Sequence, residues 1–570
     1  MNRKQLGIYG YCAHHPDHGG THNSGAALLD DDGRLIAAVE EERLTRVKME
    51  ARYPFRAIDW VRGFGEDEET PVAVARLPRI ELVGDVWRNM RYWAAHSEPG
   101  RQRLHFFGAM VSFPINALAE KLAGKGALPD ALRRRRRRNI RHHRAHAAGA
   151  YHCCPWPDEP VLVLTLDGSG DADCGTVWIG EKGRMRQLLA IPAPHSIGGV
   201  YTAFTRHLGF RPTRHEGKVL GLAAYGDPEP FADRLRRHIR LDPDHPRLDT
   251  PLAQLAYQRF SPPIAARLAE GLDREQIAAG LQAVTEETVL HFVRQWVEQT
   301  GVRKLAVAGG VFANVKLNQR ILACDEVENF YVFPNMGDGG LAAGAALAAC
   351  ADSHGGLAPR LLESLYLGPE ITREEAEAAL HAAGVAFDRP DSLAQTTARM
   401  LAEGKVVARA AGRMEFGPRA LGNRTIFASC HDPAINRWLN DRLGRTEFMP
   451  FAPIVMEEYA RDYFPDWRPE HVAARFMTIT YDASERARRE IPAAIHVDGT
   501  ARPQVLRRQD NPEVHAILAA YHERTGIPAL INTSFNMHEE PIVCRAADAV
   551  RAFRLGHLDA LICADLLAVA

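Results

Sequence analysis

VLVLTLDGSGDADCGTVWIGEKGRMRQLLAIP, residues 161–192, is the stretch that decides the fold. VLVLTLDG (161–168) is apolar and partly β-branched and predicts a buried strand. SGDAD is a polar loop, GTVWIG (175–180) a second strand, EKG a turn, and MRQLLAIP (185–192) a returning strand. The first fifty residues carry the same plan. LGIYGY (6–11) is short and apolar, and a His- and Gly-rich loop leads to GAALL (25–29). DDDG (30–33) is a turn signal, and LIAAVEEER (35–43) returns. The repeat is one of pattern more than of letters, and internal duplication is sought before anything else.

Two strand–loop–strand–turn–strand units, each followed by helices, are the plan of the actin-like α/β ATPase fold. There the loop after each first strand faces a nucleotide. Downstream the pattern continues as α/β. IAAGLQAVTEETVLHFVRQWVEQTG (277–301) has apolar residues at three and four spacing and ends on Gly, which predicts an amphipathic helix with its stop signal. KLAVAGGV (304–311) predicts a buried strand, NVKLNQRIL a helix, NFYVFP (329–334) a strand and GGLAAGAALAAC (339–350) a small-residue helix. ADSHGGLAPR (351–360) reads as a linker. A second α/β unit follows, roughly 370–570, with KVVARAA, ARFMTITYD and PALINTSF as its clearest strands. Domains are expected at 1–355 and 365–570.

Composition narrows the function classes. The chain has 570 residues, 46% hydrophobic and 25% charged, the proportions of an ordinary globular protein. Lys plus Arg is 70 against 71 for Asp plus Glu, a net charge of −1, so no polyanion partner is expected. The run RRRRRR (133–138) reads as one exposed loop. The nine cysteines form no CxxC pair, which argues against a disulfide framework or Cys-based zinc and for reduced thiols in the cytoplasm. The N-terminus lacks a signal-peptide plan, and no apolar run reaches the roughly 18 residues of a membrane span.

Several strings carry chemistry. His142 and His146 lie four apart in HHRAHAAGAYH (142–152), so on a helix both imidazoles reach one ion. Asp167 and Asp338 sit at or just past strand ends, where α/β sheets place ligand groups. Two His with one or two Asp describe a non-haem iron or zinc site. His143 is left to face substrate or solvent. The turns DGSGD (167–171), AVAGGVFAN (306–314) and GDGG (337–340) let backbone N–H groups approach a phosphate, with Gly309 and Gly310 at the turn and Asn314 to orient the nucleotide. His22, in THNSGAALL, is placed as a general base near neutral pH. EEERLTR (40–46) is either a solvated strand end or a phosphate clamp. In the second unit, Arg413, Arg419 and Arg424 lie among glycines in GRMEFGPRALGNRT (412–425). Arg445 lies in GRTEFMPFAP (444–453), Arg502 in ARPQ (501–504) and Asn532 in NTSFN (532–536). Arginine forks suit phosphate and carboxylate.

Taken in order, HNSGAALL, EEERLTR, HHRAHAA, LDGSGD, EGKVLGLAAYG, AGGVFAN, GDGG, GPRALGNR, RTEFMPFAP, TARPQ and NTSFN resemble the O-carbamoyltransferase family of nodulation protein U, cephalosporin carbamoyltransferase and the tobramycin-pathway enzyme. The resemblance covers nearly the whole chain. It implies an actin-like first domain similar to tRNA threonylcarbamoyl-transferase and a YrdC-like second domain. It implies that carbamoyl phosphate and ATP, with Mg²⁺, give carbamoyl adenylate in the second domain, and that a hydroxyl of a small acceptor takes the carbamoyl group in the first. By position, His142, His146, Asp167 and Asp338 would bind Fe²⁺ or another divalent metal, and His22 would be the catalytic acid/base. Lys218, Gly309, Gly310 and Asn314 would hold the adenylate. Arg419, Arg445, Arg502 and Asn532 would hold carbamoyl phosphate and ATP. The implied partners are a small-molecule acceptor and at most a second copy of the chain, with neither nucleic acid nor membrane.

The chain departs from the family pattern at Asn23, where many relatives have Asp, so any charge that position lends to His22 is lost. It also departs at Gly444 and Met449, in a string one residue shorter. Two other readings keep parts of the same pattern: a tRNA-modifying transferase that uses RRRRRR, and a nucleotide-binding regulator without catalysis.

Overall fold

The computed structural model describes residues 3–10, 22–67, 69–97, 100–122, 132, 135–249, 252–257, 261–444 and 449–570. The chain forms two compact units: Met1–Ile36 with Ala51–Leu361, and Ala37–Glu50 with Leu362–Ala570. The sequence places residues 37–50 with the first domain; they pack with the second unit, so the chain crosses between units three times.

The first unit is built on two mixed five-stranded sheets, and the edge strand Leu35–Glu40 of one runs across the boundary between Ile36 and Ala37. One contains β1 (Gln5–Tyr9), β2 (Gly25–Leu29), β3 (Leu35–Glu40), β4 (Val72–Val74) and β5 (Arg137–Asn139) in the order β3-β2-β1-β4-β5. The other contains β6 (Val161–Gly170), β7 (Asp173–Glu181) and β8 (Arg184–Pro192). A small hairpin, β9 (Ile239–Leu241) and β10 (Pro246–Leu248), stands apart. β11 (Lys304–Ala308) and β12 (Asn329–Val332) complete the second sheet in the order β12-β11-β6-β7-β8. Each sheet has the same logic: the first strand is antiparallel to the second and parallel to the fourth, and the fifth is parallel to the fourth. The duplication read from residues 6–43 and 161–192 is therefore present in the backbone. Val161–Leu166 of β6 are buried, as a central strand covered on both faces requires.

Helix signals act where the sequence puts them. Arg274–Thr300 starts on an Asp273–Gln276 capping box and stops at Gly301, φ 68°. The small-residue helix Leu341–Ser353 is small for a steric reason. A Cβ on Gly344 would lie 1.9 Å from the carbonyl oxygen of Ala145, and one on Gly7 would lie 1.9 Å from that of Ala342. That helix therefore lies against β1 on one side and against helix His142–His152 on the other at backbone distance.

The second unit is built on an eight-stranded mixed sheet. Its order is Phe387–Asp388, Leu566–Val569, Ala560–Cys563, Val407–Ala410, Arg424–Ala428, Ala529–Ser534, Ala452–Met456 and Gln504–Leu506. Helices Leu393–Ala402 and Pro512–Thr525 pack together beside it over Leu401, Ile454, Leu518 and Leu530.

Three readings are corrected. LIAAVEEER is not all strand: β3 ends at Glu40 and Glu41–Thr45 is one helical turn. Neither is it solvated, since Glu40 to Arg43 are buried, with Arg43 between Glu40 and Glu42. ARFMTITYD forms a 3₁₀ turn at Val472–Phe476, and only Tyr481–Asp482 is strand, because Met477 adopts a left-handed φ of 57°. RRRRRR is not a free loop over its described part. Arg135 is buried against Glu66, Arg137 opens β5, and Arg138 pairs with Asp352 at 2.9 Å; residues 133–134 lie outside the described residues. Among the described residues no helix is long and apolar enough to cross a membrane.

Candidate active site

The string DGSGD does three separate jobs at the end of β6. Asp167 projects its carboxylate toward helix His142–His152. Gly170 leaves room for the His142 ring, since a Cβ there would fall 2.1 Å from its Cδ2. Asp171, at φ 50°, accepts the backbone N–H of His142 on Oδ2 at 2.8 Å, which satisfies an open donor in the first turn of that helix. The main chain of Asp167 is fixed in turn. Ser196 Oγ donates to its carbonyl at 3.0 Å while capping helix Ile197–His207.

His142, His146, Asp167 and Asp338 converge, each offering one donor atom, and all four atoms lie within 4.8 Å of one another. The two imidazole Nε2 atoms are 3.2 Å apart. Asp167 Oδ2 lies 3.5 Å from the first and 3.2 Å from the second. Asp338 Oδ1 lies 3.6 and 3.7 Å from them. Around an ion with bonds of about 2.1 Å, tetrahedral ligands stand roughly 3.4 Å apart, so the donor set fits one metal ion. The two histidines and Asp338 are buried and Asp167 nearly so.

The second oxygen of Asp338 is held by a residue the sequence reading did not single out. Tyr9, buried at the end of β1, donates its hydroxyl to Asp338 Oδ2 at 2.6 Å. Its only sequence signal is its place at a first-strand end in the duplicated plan. On the same side, His22 Nε2 is 4.0 Å from Asp338 Oδ2. His22 Nδ1 lies 2.7 Å from Asn23 Oδ1. Asn23 therefore supplies no charge but still accepts the ring N–H, leaving Nε2 as the free lone pair.

Charge within the cluster is settled by proximity. Burial lowers the basicity of His146, but hydrogen bonds and charge from Asp167 and Asp338 outweigh it and raise its pKa to about 9. Burial opposes charge on Asp167, yet His142 and His146 hold its carboxyl well below the usual range. Burial works against a charged His22 too, and Asp338, Asn23 and Asp167 overcome it and raise the ring's pKa. His143 is different. It is buried, and burial together with its two histidine neighbours drives it down to about 3. A donor chain fixes it as neutral: Trp178 Nε1 to Thr176 Oγ1 (2.7 Å), on to Thr165 Oγ1 (2.6 Å), to His143 Nδ1 (2.9 Å), and from Nε2 to the Asp173 carbonyl (3.2 Å). It is buried away from solvent, with both ring nitrogens engaged.

The expected nucleotide residues are placed as follows. Gly309, φ 105°, crosses β6 where a Cβ would meet the Leu166 carbonyl at 2.2 Å, and a Cβ on Gly310 would lie 3.0 Å from Asp167 Oδ1. Gly310 thus borders the cluster. Asn314 caps helix Val315–Leu322 through Leu317 N (3.0 Å) and bonds Gln282 (2.9 Å). Its side chain is engaged in structure. Lys218 is buried on helix Glu216–Ala223.

In the second unit the structure separates the arginines. Arg413 donates to the carbonyls of Leu367 and Gly368, and Arg424 to those of Ala411, Gly412, Asn423 and Pro369; both brace the backbone. Among the described residues Arg419 has no partner for its buried Nε, and burial pulls it down to about 10. Its loop wraps round Glu415, whose Oε1 accepts from Leu421 N, Asn423 N and Arg424 N at 2.7, 2.8 and 3.1 Å. The sequence reading passed over Glu415. Asn532 is a brace, not a free ligand: its amide donates to the Ala420 carbonyl (2.9 Å) and to Gln504 (2.6 Å). Gln504 is two residues from Arg502. Arg445 lies outside the described residues.

A family model described as Carbamoyltransferase N-terminus matches residues 19–347, and one described as Carbamoyltransferase C-terminus matches 398–569. Nodulation protein NolNO of Sinorhizobium fredii is 34% identical over 96% of this chain and 78% of its own length. Nodulation protein NolO of Bradyrhizobium diazoefficiens is 34% identical over 75% of this chain and 78% of its own. Among solved structures, full-length HypF in its phosphate- and nucleotide-bound form aligns with 61% of this chain and 55% of its own at 11% identity, with a TM-score of 0.31, too slight a likeness to argue from. The chain belongs to the carbamoyltransferase family and is an enzyme that transfers carbamoyl groups.

Proposed function

We propose that the chain is an ATP-dependent O-carbamoyltransferase with two sites: carbamoyl adenylate is made in a YrdC-like second unit and consumed in an actin-like first unit. The observation that carries this reading is the cluster of His142, His146, Asp167 and Asp338 with His22 Nε2 4.0 Å from Asp338 Oδ2. Two His and two carboxylates suit Fe²⁺ or Zn²⁺, and we assign Fe²⁺. The ion, when bound, supplies positive charge for the carbamoyl oxygen or the departing phosphate.

The second unit handles anions. The desolvated Arg419 guanidinium, without a carboxylate partner among the described residues, favours a phosphate as its counter-ion. By their places in the family pattern, Arg502 and Arg445 are assigned to the same anions. The balance there is carbamoyl phosphate, ATP and water giving carbamoyl adenylate, phosphate and pyrophosphate, with Mg²⁺ on the ATP. In the first unit, Gly309 and Gly310 let the backbone approach the adenylate, with Lys218 beside it and Asn314 holding the helix start. His22 Nε2 takes the proton of the acceptor hydroxyl, which is a poor nucleophile until deprotonated. The hydroxyl oxygen bonds the carbamoyl carbon and AMP leaves. The acceptor is a small molecule, such as a sugar or a secondary metabolite.

The test is pyrophosphate release from ATP. Wild type is expected to release it only with carbamoyl phosphate present, Arg419→Ala to lose that release, and His142→Ala to keep it while losing transfer to any acceptor. Release that ignores carbamoyl phosphate would overturn the reading.

A further inference from the structure

Helix Arg101–Leu122 has two apolar faces, and the fold uses one. Phe106, Met110 and Ala117 are buried, with Phe106 packed on Trp93 of helix Val83–Ala95 and on Tyr257. On the opposite face Leu104, Phe107, Val111, Ile115 and Leu118 are each 50–70% exposed. From Leu104 to Ala119 the sequence has no Asp, Glu, Lys or Arg, in a chain that is 25% charged. Its one titratable side chain, His105, is engaged with the Tyr257 hydroxyl at 2.9 Å. A solvated helix face does not look like this.

The spacing of the stripe is three, four, four, three, the interval of a helix–helix seam. It is also symmetric about Val111, with Leu at both ends. An antiparallel two-fold pairing would set Leu104 on the partner's Leu118, Phe107 on the partner's Ile115, and Val111 on the partner's Val111 at the axis. Gly108, Ser112 and Ala119, all exposed and small, flank the stripe and permit close approach. The five side chains expose on the order of 500 Å² of apolar surface, the upper range for the largest patch on a monomer. A stable interface takes about 800 Å² from each partner, so the stripe would form its core and the flanking polar residues its rim. A membrane surface fits less well, because the opposite face is packed on the protein and not basic and solvated.

We propose that this stripe is where a second copy of the chain docks, antiparallel across a two-fold axis through Val111. The interface is isologous, as self-complementary patches are.

Two variants test it in the full-length protein. Val111→Glu sets two like charges on the axis at an exposed position. Light scattering should show wild type at twice the 63.2 kDa of one chain and the variant at 63.2 kDa, with an unchanged circular dichroism spectrum. Val111→Cys should form an interchain disulfide under mild oxidation, because the axis brings the two thiols together. Leu104→Cys should crosslink to Leu118→Cys and not to itself. The described native cysteines are buried, and wild type run alongside reports any background. A monomeric wild type overturns the proposal, as does a dimer that survives Val111→Glu. Binding of wild type but not Val111→Glu to phosphatidylcholine–phosphatidylserine vesicles would reassign the stripe to a membrane.

Discussion

Tyr9 and His146 show how single residues set the geometry and charge of the candidate metal site. Asp338 faces the donor cluster with Oδ1 and is tied to Tyr9 by Oδ2 at 2.6 Å. That hydroxyl fixes which oxygen turns inward, the part that outer hydrogen bonds play around ligating carboxylates. Tyr9→Phe keeps the ring and removes the donor. Metal affinity is expected to fall about 10- to 100-fold, read by competition with a chelator, with the folded far-ultraviolet spectrum intact. An unchanged affinity would demote Tyr9 to packing. His146 gives the pH dependence. Its pKa in the ion-free protein is raised to about 9 by Asp167 and Asp338 against the cost of burial. A raised histidine stabilises the fold fully below its unfolded value of about 6.5, and that stability is lost as pH rises through 9. The ion must displace the same proton, so affinity should climb with pH over that window, with about one proton released per ion from His146. Metal titration in weak buffer at pH 7 checks this; no acidification would refute it.

At the scale of elements, the duplicated plan was legible because strand alternation and Gly-rich turns are local signals. Residues 161–192 and 6–43 foretold six strands, and HHRAHAA with DGSGD foretold the donor cluster, because i, i+4 on a helix and a strand end fix direction. What stayed hidden depends on partners distant in sequence. Nothing local distinguishes Arg419 from Arg413 and Arg424; only the carbonyls gathered round the latter two do. Asn314 and Asn532 carry the right chemistry, but a helix cap and a loop brace engage it. The same distance effect governs the small-residue helix Leu341–Ser353. Gly344 lies on the Ala145 carbonyl, one residue from His146. Gly344→Val must push helix His142–His152 outward. It should cost about 1–3 kcal/mol as overpacking and weaken metal binding as well, since His142 and His146, the proposed ligands, move with that helix. Thermal unfolding with and without metal separates the two effects. A stable variant with native affinity would show that the helices have slack there.

For the whole molecule, the crossing segment Ala37–Glu50 matters most. It is sequence-local to the first unit yet structurally part of the second. Ala38 N–H donates to the Leu367 carbonyl at 3.1 Å, Arg43 to that of Gly417 at 2.9 Å, and Arg46 to those of Ile542 and Pro541 at 2.6 and 2.8 Å. Arg43 is buried between Glu40 and Glu42, so removing it alone takes their shared cation from two buried carboxylates. Arg43→Ala is expected to cost about 3–5 kcal/mol, the usual loss on breaking a buried pair. A cut at the apparent linker is the larger test. The fragment 362–570 keeps the eight-stranded sheet but loses every one of these bonds, and the carbonyls of Gly417, Pro541 and Ile542 lose their donors. Those acceptors then meet water, so each lost bond costs about 0.5–1.5 kcal/mol; the apolar surface against Ala38, Val39 and Leu44, all buried, is exposed as well, and the sum weighs against the roughly 5–15 kcal/mol by which an ordinary domain is stable. The fragment should therefore melt without a cooperative transition, and a peptide of residues 37–50 should restore one. A fragment that unfolds cooperatively on its own would mean that the second unit does not depend on the segment threaded into it, and that 37–50 only decorates its surface.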